Sequence, residues 1–347
     1  MRNTRLAVVG AGLIGQRHAT AVGVAKSVEL ACIVDPDPAA ESLAAGLDVP
    51  HFPDLDAMLA AGAGAVEGVI LATPNRMHAQ GGLACIAAGL PVLVEKPLTT
   101  DVAEGRELLE AAEAAGVPVA TGHHRRHNPL IARARALVDE GALGRIAAVH
   151  AMLWLMKPDD YFAAAWRSQA GGGPIQINLN HEIDLLRHLL GPVARVQAVT
   201  ANAVRGFEVE DTAVVLLTFE SGVLGTINLC DTAVAPWSWE LTARENPAYP
   251  ATGESCCWIA GTHGSLSLPD LTLWTQSGKR SWWEPIGATR MPFDFTDPLV
   301  LQAEQFGRVV RGEENPLVSG RDGLAAIAVI EAISRSAETG RPVEVRA

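Results

Sequence analysis

The sequence predicts an α/β protein of two domains, a doubly wound parallel sheet followed by a domain rich in short strands. From Leu6 to Ala120, short apolar runs alternate with helical patterns, as is typical of buried parallel strands and their crossover helices. After Val193 the chain changes to many short strands, of which Ser238–Thr242 is one. Turn signals such as Ser221-Gly222 separate them and indicate antiparallel connections. A chain of 347 residues is long enough for two hydrophobic cores.

The first predicted strand and helix carry a dinucleotide-binding motif. Leu6–Val9 leads into Gly10-Ala11-Gly12-Leu13-Ile14-Gly15, a complete G-x-G-x-x-G. The first glycine permits the turn, the second lets a pyrophosphate approach the backbone, and the third lets the helix pack on its strand. The helix that begins here would present free N–H groups and its positive dipole end to the phosphates.

An acidic residue ends the next predicted strand, Val28–Val34. This residue, Asp35, follows Gly15 by 20 positions. A carboxylate here accepts hydrogen bonds from an adenosine ribose and repels a 2′-phosphate, so the sequence favours NAD over NADP. A turn cap before Pro36 is the alternative role, and it is compatible with ribose binding.

A second loop is predicted at the same edge of the sheet. It follows the strand Val66–Ala72 and begins Thr73-Pro74-Asn75, with His78 opening the next helix. Because ligands bind beyond the carboxyl ends of the strands in a doubly wound sheet, this loop is expected beside the glycine turn. Thr73 and Asn75 could hydrogen-bond the cofactor. A turn with helix caps explains the same residues equally well.

A third loop places a lysine after a buried strand. Glu95-Lys96-Pro97 directly follows the strand Pro91–Val94, and Lys96 is one of only four lysines in the chain. Pro97 biases Lys96 toward an extended conformation. A positioned ammonium there can stabilise an alkoxide formed during hydride transfer. The alternative is a solvated lysine, but its location at the ligand-binding end of the strand favours a function.

These three motifs, in this order, resemble the glucose–fructose oxidoreductase/inositol dehydrogenase (Gfo/Idh/MocA) family. The resemblance implies an N-terminal Rossmann domain and a C-terminal α+β domain with a large, mostly antiparallel open sheet. It also implies NAD(P)-dependent oxidation or reduction of a sugar, cyclitol or sugar acid, with Lys96 as a substrate-binding and catalytic residue. The positions predicted to contact the cofactor are Gly10, Gly12, Leu13, Ile14, Gly15, Asp35, Thr73, Pro74, Asn75, His78, Glu95 and Lys96.

We place the domain boundary after Gly122, which gives residues 1–122 to the dinucleotide-binding domain and 123–347 to a substrate-binding and oligomerisation domain. The cationic segment that begins at this boundary, Gly122-His123-His124-Arg125-Arg126-His127, resembles the family's Gly-x-x-Arg-Arg segment, where an arginine reaches the substrate site. One interpretation is a solvated helix start whose arginines pair with carboxylates. The sharper hypothesis is that Arg125 and Arg126 bind an anionic group, such as the carboxylate of a sugar acid.

Trp166 and Arg167, which precede a triple glycine, also match the family pattern. They are predicted to lie near the nicotinamide or the substrate, although a packing role is equally compatible with the residues.

A second motif lies on the predicted amphipathic helix Pro174–Leu190, where apolar residues recur with helical spacing. His181 is suited to proton transfer near neutral pH, although the residues alone fit a histidine on the helix surface equally well. It matches the histidine of the family's Asp-x-x-x-His, and the resemblance implies that it is the general base. Ile177 stands where the family has aspartate. Asn178, one turn before His181, is therefore predicted to orient the substrate without acting as a carboxylate.

Composition argues against several kinds of partner. A net charge of −12 disfavours nucleic acid and anionic membranes, and no apolar run approaches the length of a membrane span. The five cysteines lack C-x-x-C spacing and the first strand leaves no room for a signal peptide, so a reduced, cytoplasmic protein is expected. Asp184 and His188 have metal-ligand spacing, but two such residues predict a local pair and no metal site.

Two other functions remain open. One is an NAD-dependent hydrolase or epimerase that oxidises its substrate transiently and forms no net NADH. The other is a sensor that binds a dinucleotide without chemistry; Lys96 beside the glycine turn argues against it. The family resemblance also implies a polyhydroxylated small-molecule substrate and a homo-oligomer, a dimer or tetramer, formed through the exposed face of the sheet.

Overall fold

The computed structural model describes residues 2–61 and 66–346. The chain forms two compact units. The first comprises the chain up to Asn128 together with Thr296–Ile327, and the second comprises Pro129–Phe295 and Ala328–Arg346. The chain thus returns to the first unit at Thr296. A single boundary between residues 122 and 123 does not describe this return. The predicted domain limits stay a prediction.

The helices and strands are numbered in chain order. The strands are β1 (Thr4–Val9), β2 (Val28–Val34), β3 (His51–Phe52), β4 (Gly68–Leu71), β5 (Val92–Val94), β6 (Val119–Thr121), β7 (Ile146–Trp154), β8 (Val193–Ala201), β9 (Thr212–Phe219), β10 (Leu224–Cys230), β11 (Cys257–Gly261), β12 (Gly264–Leu268), β13 (Thr272–Thr275), β14 (Gly287–Arg290) and β15 (Val343–Glu344). The helices are α1 (Leu13–Val24), α2 (Ala39–Gly46), α3 (Leu55–Ala60), α4 (His78–Ala87), α5 (Val102–Ala115), α6 (Pro129–Asp139), α7 (Pro174–Ile177), α8 (Leu179–Leu190), α9 (Trp239–Thr242), α10 (Pro298–Val310) and α11 (Gly320–Thr339).

The first unit is built on a six-stranded parallel sheet in the order β3-β2-β1-β4-β5-β6. Strand order reverses between β1 and β4, and the crevice at such a switch point is where doubly wound sheets bind ligands. The strands are apolar on both faces because helices cover both: Leu6 and Val8 are fully buried on one face, and Ala7 and Val69 on the other. The Rossmann-type fold predicted from the sequence is confirmed.

Helix α10, from the C-terminal part of the chain, completes the core of the first unit. It contacts α1, β1 and β2. Phe306 on α10 is fully buried in the same cluster as Leu6 and Val28. Gly68 on β4 makes room for this helix, because a Cβ there would lie 2.7 Å from the Val310 side chain.

The second unit contains a nine-stranded sheet in the order β14-β13-β12-β11-β7-β10-β9-β8-β15. All neighbouring strands are antiparallel except β7 and β10, which run parallel. The prediction of a mostly antiparallel sheet is confirmed. Burial alternates along β9: Val215 and Leu217 are buried, whereas Val214 and Leu216 on the opposite face are exposed.

Two predicted elements of the second unit are wrong. The single helix over Pro174–Leu190 is two helices, α7 and α8, which meet at Asn178. The side-chain amide of Asn180 donates to the Gln176 carbonyl oxygen at 2.8 Å, and so takes an acceptor that a continuous helix would use. Ser238–Thr242, predicted as a strand, forms the short helix α9, because the Ser238 hydroxyl caps it by accepting from the Leu241 N–H.

No helix within the described ranges is long and apolar enough to cross a bilayer.

Candidate active site

The glycine turn after β1 has the geometry that the motif predicts. Gly10 has a φ of +98°, and a Cβ there would lie 2.5 Å from the Ala72 carbonyl oxygen. A Cβ on Gly15 would overlap the carbonyl oxygen of Gly10, so α1 packs on the turn only because this residue lacks a side chain. Gly12 differs, since a Cβ there would meet no described atom within 4 Å. Its open side leaves the backbone accessible to a ligand.

Asp35 stabilises this turn directly. Its Oδ2 accepts a hydrogen bond from the Ala11 N–H at 2.6 Å, and its Oδ1 accepts one from the Asp37 N–H at 2.8 Å. Each carboxylate oxygen has a second lone pair, so a ribose hydroxyl can still donate to it. The two roles considered for Asp35, local cap and ribose acceptor, are therefore compatible.

The first unit fits a dinucleotide at this edge. Among the described residues, no side chain caps the N-terminus of α1, and the exposed Leu13 leaves the first turn open to an anion. The Thr73 hydroxyl at the end of β4 is buried without a hydrogen-bond partner in the described chain. A buried hydroxyl in that state is costly unless a ligand satisfies it.

His78 joins two of the predicted site loops. Its Nδ1 lies 2.7 Å from the Pro97 carbonyl oxygen and its Nε2 lies 2.9 Å from the Thr73 carbonyl oxygen. The ring is fully buried. These contacts hold the Thr73 loop against the Lys96 loop, and they do not support the prediction that the His78 side chain binds the cofactor. Pro74 and Asn75 lie in this loop, with Asn75 opening a 3-10 turn.

Lys96 follows β5 at the carboxyl edge of the sheet and is half-buried. The preceding Glu95 is buried, and its side chain faces inward. The Glu95 Oε1 lies 2.8 Å from His18 Nε2, and Oε2 accepts from the Lys96 N–H at 3.0 Å. His18 is a residue that the sequence analysis missed, since nothing in its spacing on α1 distinguishes it from a core histidine.

The cationic segment after β6 is not solvated, so that expectation is wrong. It forms a 3-10 helix in which Arg125 and Arg126 are buried. Both terminal nitrogens of Arg126 lie 3.2 Å from Asp322 Oδ1. Burial alone would raise the pKa of Asp322, but the Arg126 charge and hydrogen bonds from Ser319 lower it below its usual value. The alternative that an arginine pairs with a carboxylate therefore holds for Arg126.

In the second unit, Arg167 is held by Tyr161. Its guanidinium lies 4.1 Å from the centre of the Tyr161 ring, and its Nη1 donates to the Tyr161 carbonyl oxygen at 2.7 Å. Trp166 is exposed. The structure thus gives Arg167 a packing role, while the predicted substrate contacts of both residues stay a prediction.

His181 lies in the first turn of α8 and is buried, and Asn178 lies at the junction of α7 and α8. Ile177 ends α7. Lys96 belongs to the first unit and His181 to the second, so their meeting at one substrate stays a prediction.

The second unit contains a group of buried charges that was not predicted from the sequence. Lys157 Nζ lies 3.3 Å from Asp231 Oδ2, and Arg205 Nε lies 3.3 Å from Asp231 Oδ1. Burial lowers the pKa of Lys157, opposed by the Asp231 charge. Burial also raises the pKa of Glu210, whose Oε1 accepts the Ile175 N–H at 2.8 Å. Lys157 and Asp231 follow the parallel strands β7 and β10, but only the observed strand pairing reveals that these ends adjoin.

The parallel sheet, its open glycine turn and the acidic residue after β2 define a class: a protein with a dinucleotide-binding Rossmann domain. Residues 4–123 match the model of the oxidoreductase family with an NAD-binding Rossmann fold, and residues 131–267 match the GFO/IDH/MocA C-terminal domain. The chain belongs to the GFO/IDH/MocA family, as its motifs predicted.

Relatives cover the whole chain. The inositol 2-dehydrogenase of Mycolicibacterium gilvum is 30% identical, over 100% of this chain and 94% of that protein. The rhizopine catabolism protein MocA of Rhizobium meliloti is 29% identical, over 96% and 94%. Among solved structures, the WlbA dehydrogenase from Bordetella pertussis, in complex with NADH and UDP-GlcNAcA, is 28% identical with a TM-score of 0.79, and the match covers 100% of both chains.

Proposed function

We propose that this protein transfers a hydride between NAD and a hydroxyl or carbonyl group of a sugar, cyclitol or sugar acid. One observation carries the proposal: Lys96 follows β5 at the same sheet edge where β1 ends in the glycine turn. A lysine at this edge of the sheet can bind a substrate beside the dinucleotide. Relatives named for inositol 2-dehydrogenase and 1,5-anhydro-D-fructose reductase activities support the substrate class.

The chain's own residues then have distinct roles. Bound NAD supplies the hydride-accepting nicotinamide ring. His181 removes the proton of the substrate hydroxyl, since imidazole is suited to proton transfer near neutral pH. Lys96 stabilises the negative charge on the substrate oxygen, and Asn178 orients a neighbouring hydroxyl. Reduction runs the same roles in reverse.

A substrate panel tests the reaction. Sugars, polyols and sugar acids, with myo-inositol among them, are each assayed for NADH absorbance with NAD and with NADP. We expect net NADH formation with at least one polyhydroxylated substrate and a preference for NAD. Product formed without net NADH would replace the proposal with transient oxidation, as in an epimerase or hydrolase. NAD binding with no chemistry on any compound would indicate a sensor.

Two substitutions test the residue roles. Lys96→Met should nearly abolish turnover, and His181→Ala should lower kcat by on the order of 10²–10⁴-fold. Both should leave the Kd for NAD within a few-fold of the native value. Lys26→Met and His263→Ala are matched controls, because these residues lie outside the proposed site, and they should retain kcat. Near-normal kcat in Lys96→Met would exclude its role.

The protein is further proposed to act in the cytoplasm as a homo-oligomer that buries the open face of the nine-stranded sheet. Val214, Leu216 and Leu224 are exposed there, and water-exposed apolar strands favour association. Light scattering should show a dimer or tetramer, and Leu216→Lys should shift the equilibrium toward monomer. A monomeric native protein would contradict the proposed oligomer.

The proposed location is tested separately. Recovery of the protein from a membrane or extracellular fraction would contradict a cytoplasmic location.

A further inference from the structure

A buried pair of side chains lies directly beside Lys96. His18 on α1 and Glu95 after β5 are 1% and 4% exposed, and Nε2 of one lies 2.8 Å from Oε1 of the other. Burying two such groups is costly unless they hydrogen-bond each other. The pair also links the helix of the glycine motif to the loop that carries Lys96.

The Glu95 carboxylate is fixed from further sides. Its second oxygen accepts the Lys96 backbone N–H at 3.0 Å. Gly122 follows β6 and packs flat against it, since a Cβ there would lie 2.9 Å from the Cα, Cδ and Oε1 of Glu95. The carboxylate therefore has one orientation, set by His18, Lys96 and Gly122.

This carboxylate carries a negative charge throughout the physiological range. Burial alone would raise the pKa of Glu95, but the hydrogen bond from His18 and the electrostatic interactions with His18, Lys96 and His124 outweigh burial and lower the pKa to about 2. These three groups come from α1, from the loop after β5 and from the segment after β6. The favourable interaction between Glu95 and Lys96 acts on both partners.

We propose that Glu95, oriented by His18, is a positioning residue for Lys96: it fixes the Lys96 backbone through the hydrogen bond from the Lys96 N–H, and its negative charge favours the charged form of the Lys96 side chain. The inference rests on the proposed function only for the role of Lys96 in turnover. The effect on the charge of Lys96 is independent of it.

Glu95→Gln removes the charge and nearly preserves the shape. An opposite charge in close range typically stabilises the charged form by about 1–3 pH units. Loss of the carboxylate should therefore lower the titration midpoint of Lys96. His18→Leu should lower it by less, because the carboxylate then remains but loses its orientation.

The four lysines make this titration measurable without a substrate. Full-length protein is reductively methylated with carbon-13, and its dimethyl-lysine signals are followed by NMR against pH. Lys96→Arg assigns the signal, and Lys26 and Lys279 serve as internal references. An unmoved Lys96 midpoint in Glu95→Gln overturns the inference.

The double variant isolates His18. If His18 acts through Glu95, then Glu95→Gln with His18→Leu should shift the Lys96 midpoint no further than Glu95→Gln alone. Full additivity would overturn the role of His18. Thermal unfolding and NAD affinity of each variant are compared with Ile86→Val, a substitution in the buried core of the same unit. If Glu95→Gln does not fold, Glu95→Asp moves the charge back by one methylene and should lower the midpoint by a smaller amount.

Turnover separates this inference from the proposed function. With myo-inositol or another active panel substrate, the basic limb of the kcat/KM pH profile should move down with the Lys96 midpoint. If no panel compound reacts but the midpoint moves, the proposed function fails and the inference stands. If turnover occurs and the midpoint does not move, only the inference fails.

Discussion

Replacing Gly12 by alanine should impair NAD binding without harming the fold. Gly12 has φ −67° and ψ −172°, which alanine adopts freely, and its Cβ would meet no described atom within 4 Å. The free energy of unfolding should therefore stay within about 0.5 kcal/mol of the native value. The new methyl group would instead occupy the open side of the turn, where the phosphates approach. We expect the Kd for NAD to rise at least tenfold, or about 1.4 kcal/mol.

Gly15→Ala is the matched comparison, because here the methyl group collides with the protein itself. Its Cβ would overlap the Gly10 carbonyl oxygen and lie 2.8 Å from the Gly10 carbonyl carbon. The Gly10 carbonyl is a backbone group and cannot rotate away as a side chain can, so α1 must shift away from the turn. Overpacking of this kind costs about 1–3 kcal/mol. For a domain of this size the Tm should fall by roughly 2–4 °C per kcal/mol.

Circular dichroism melts and calorimetric NAD titrations distinguish the two variants. Gly12→Ala should keep its Tm and lose affinity, whereas Gly15→Ala should lose both. Native NAD affinity in a folded Gly12→Ala protein would refute the assignment of the open side to the phosphates. An unchanged Tm in Gly15→Ala would refute the packing argument.

Further predictions concern the same unit. Asp35→Ala removes one hydrogen bond to the glycine turn, from the Ala11 N–H, and one to the segment after β2, from the Asp37 N–H, and should cost about 1–3 kcal/mol by urea denaturation. It should also reduce the ratio of the Kd for NADP to the Kd for NAD, and an unchanged ratio would contradict ribose binding. The fold lowers the pKa of Asp322 below its usual value of 3.8. Its ion pair with Arg126 therefore stabilises the protein fully above that pH, and this stabilisation is lost as the pH falls below about 4. Asp322→Asn should therefore flatten the acid limb of stability against pH, and a limb as steep as the native one would argue against the pair. Asp101 caps α5 by accepting the Glu104 N–H at 2.9 Å, so Asp101→Ala should cost about 1 kcal/mol, whereas Asp101→Asn should cost less.

Local motifs were predictable because their physical requirement is local. The glycine motif needs residues without side chains at three fixed positions, Gly10 and Gly15 for the turn and its packing and Gly12 for the approach of a ligand. Asp35 needs only to follow the next strand directly. The break at Asn178 was not predictable from periodicity, since the apolar spacing continues across it. A side-chain amide competing for one carbonyl decides that break, and such competition leaves no mark on a hydrophobic pattern.

By itself the sequence determined the parallel sheet, the dinucleotide turn and the family, because each rests on short-range spacing of glycine, apolar and charged residues. Only the tertiary structure decided which charges are buried and paired. Arg126 meets Asp322 and Lys157 meets Asp231 across long separations in the chain, and the His18–Glu95 pair joins two separate elements. The energy of a buried charge depends on its partner and its desolvation, and both are fixed only when distant segments pack together.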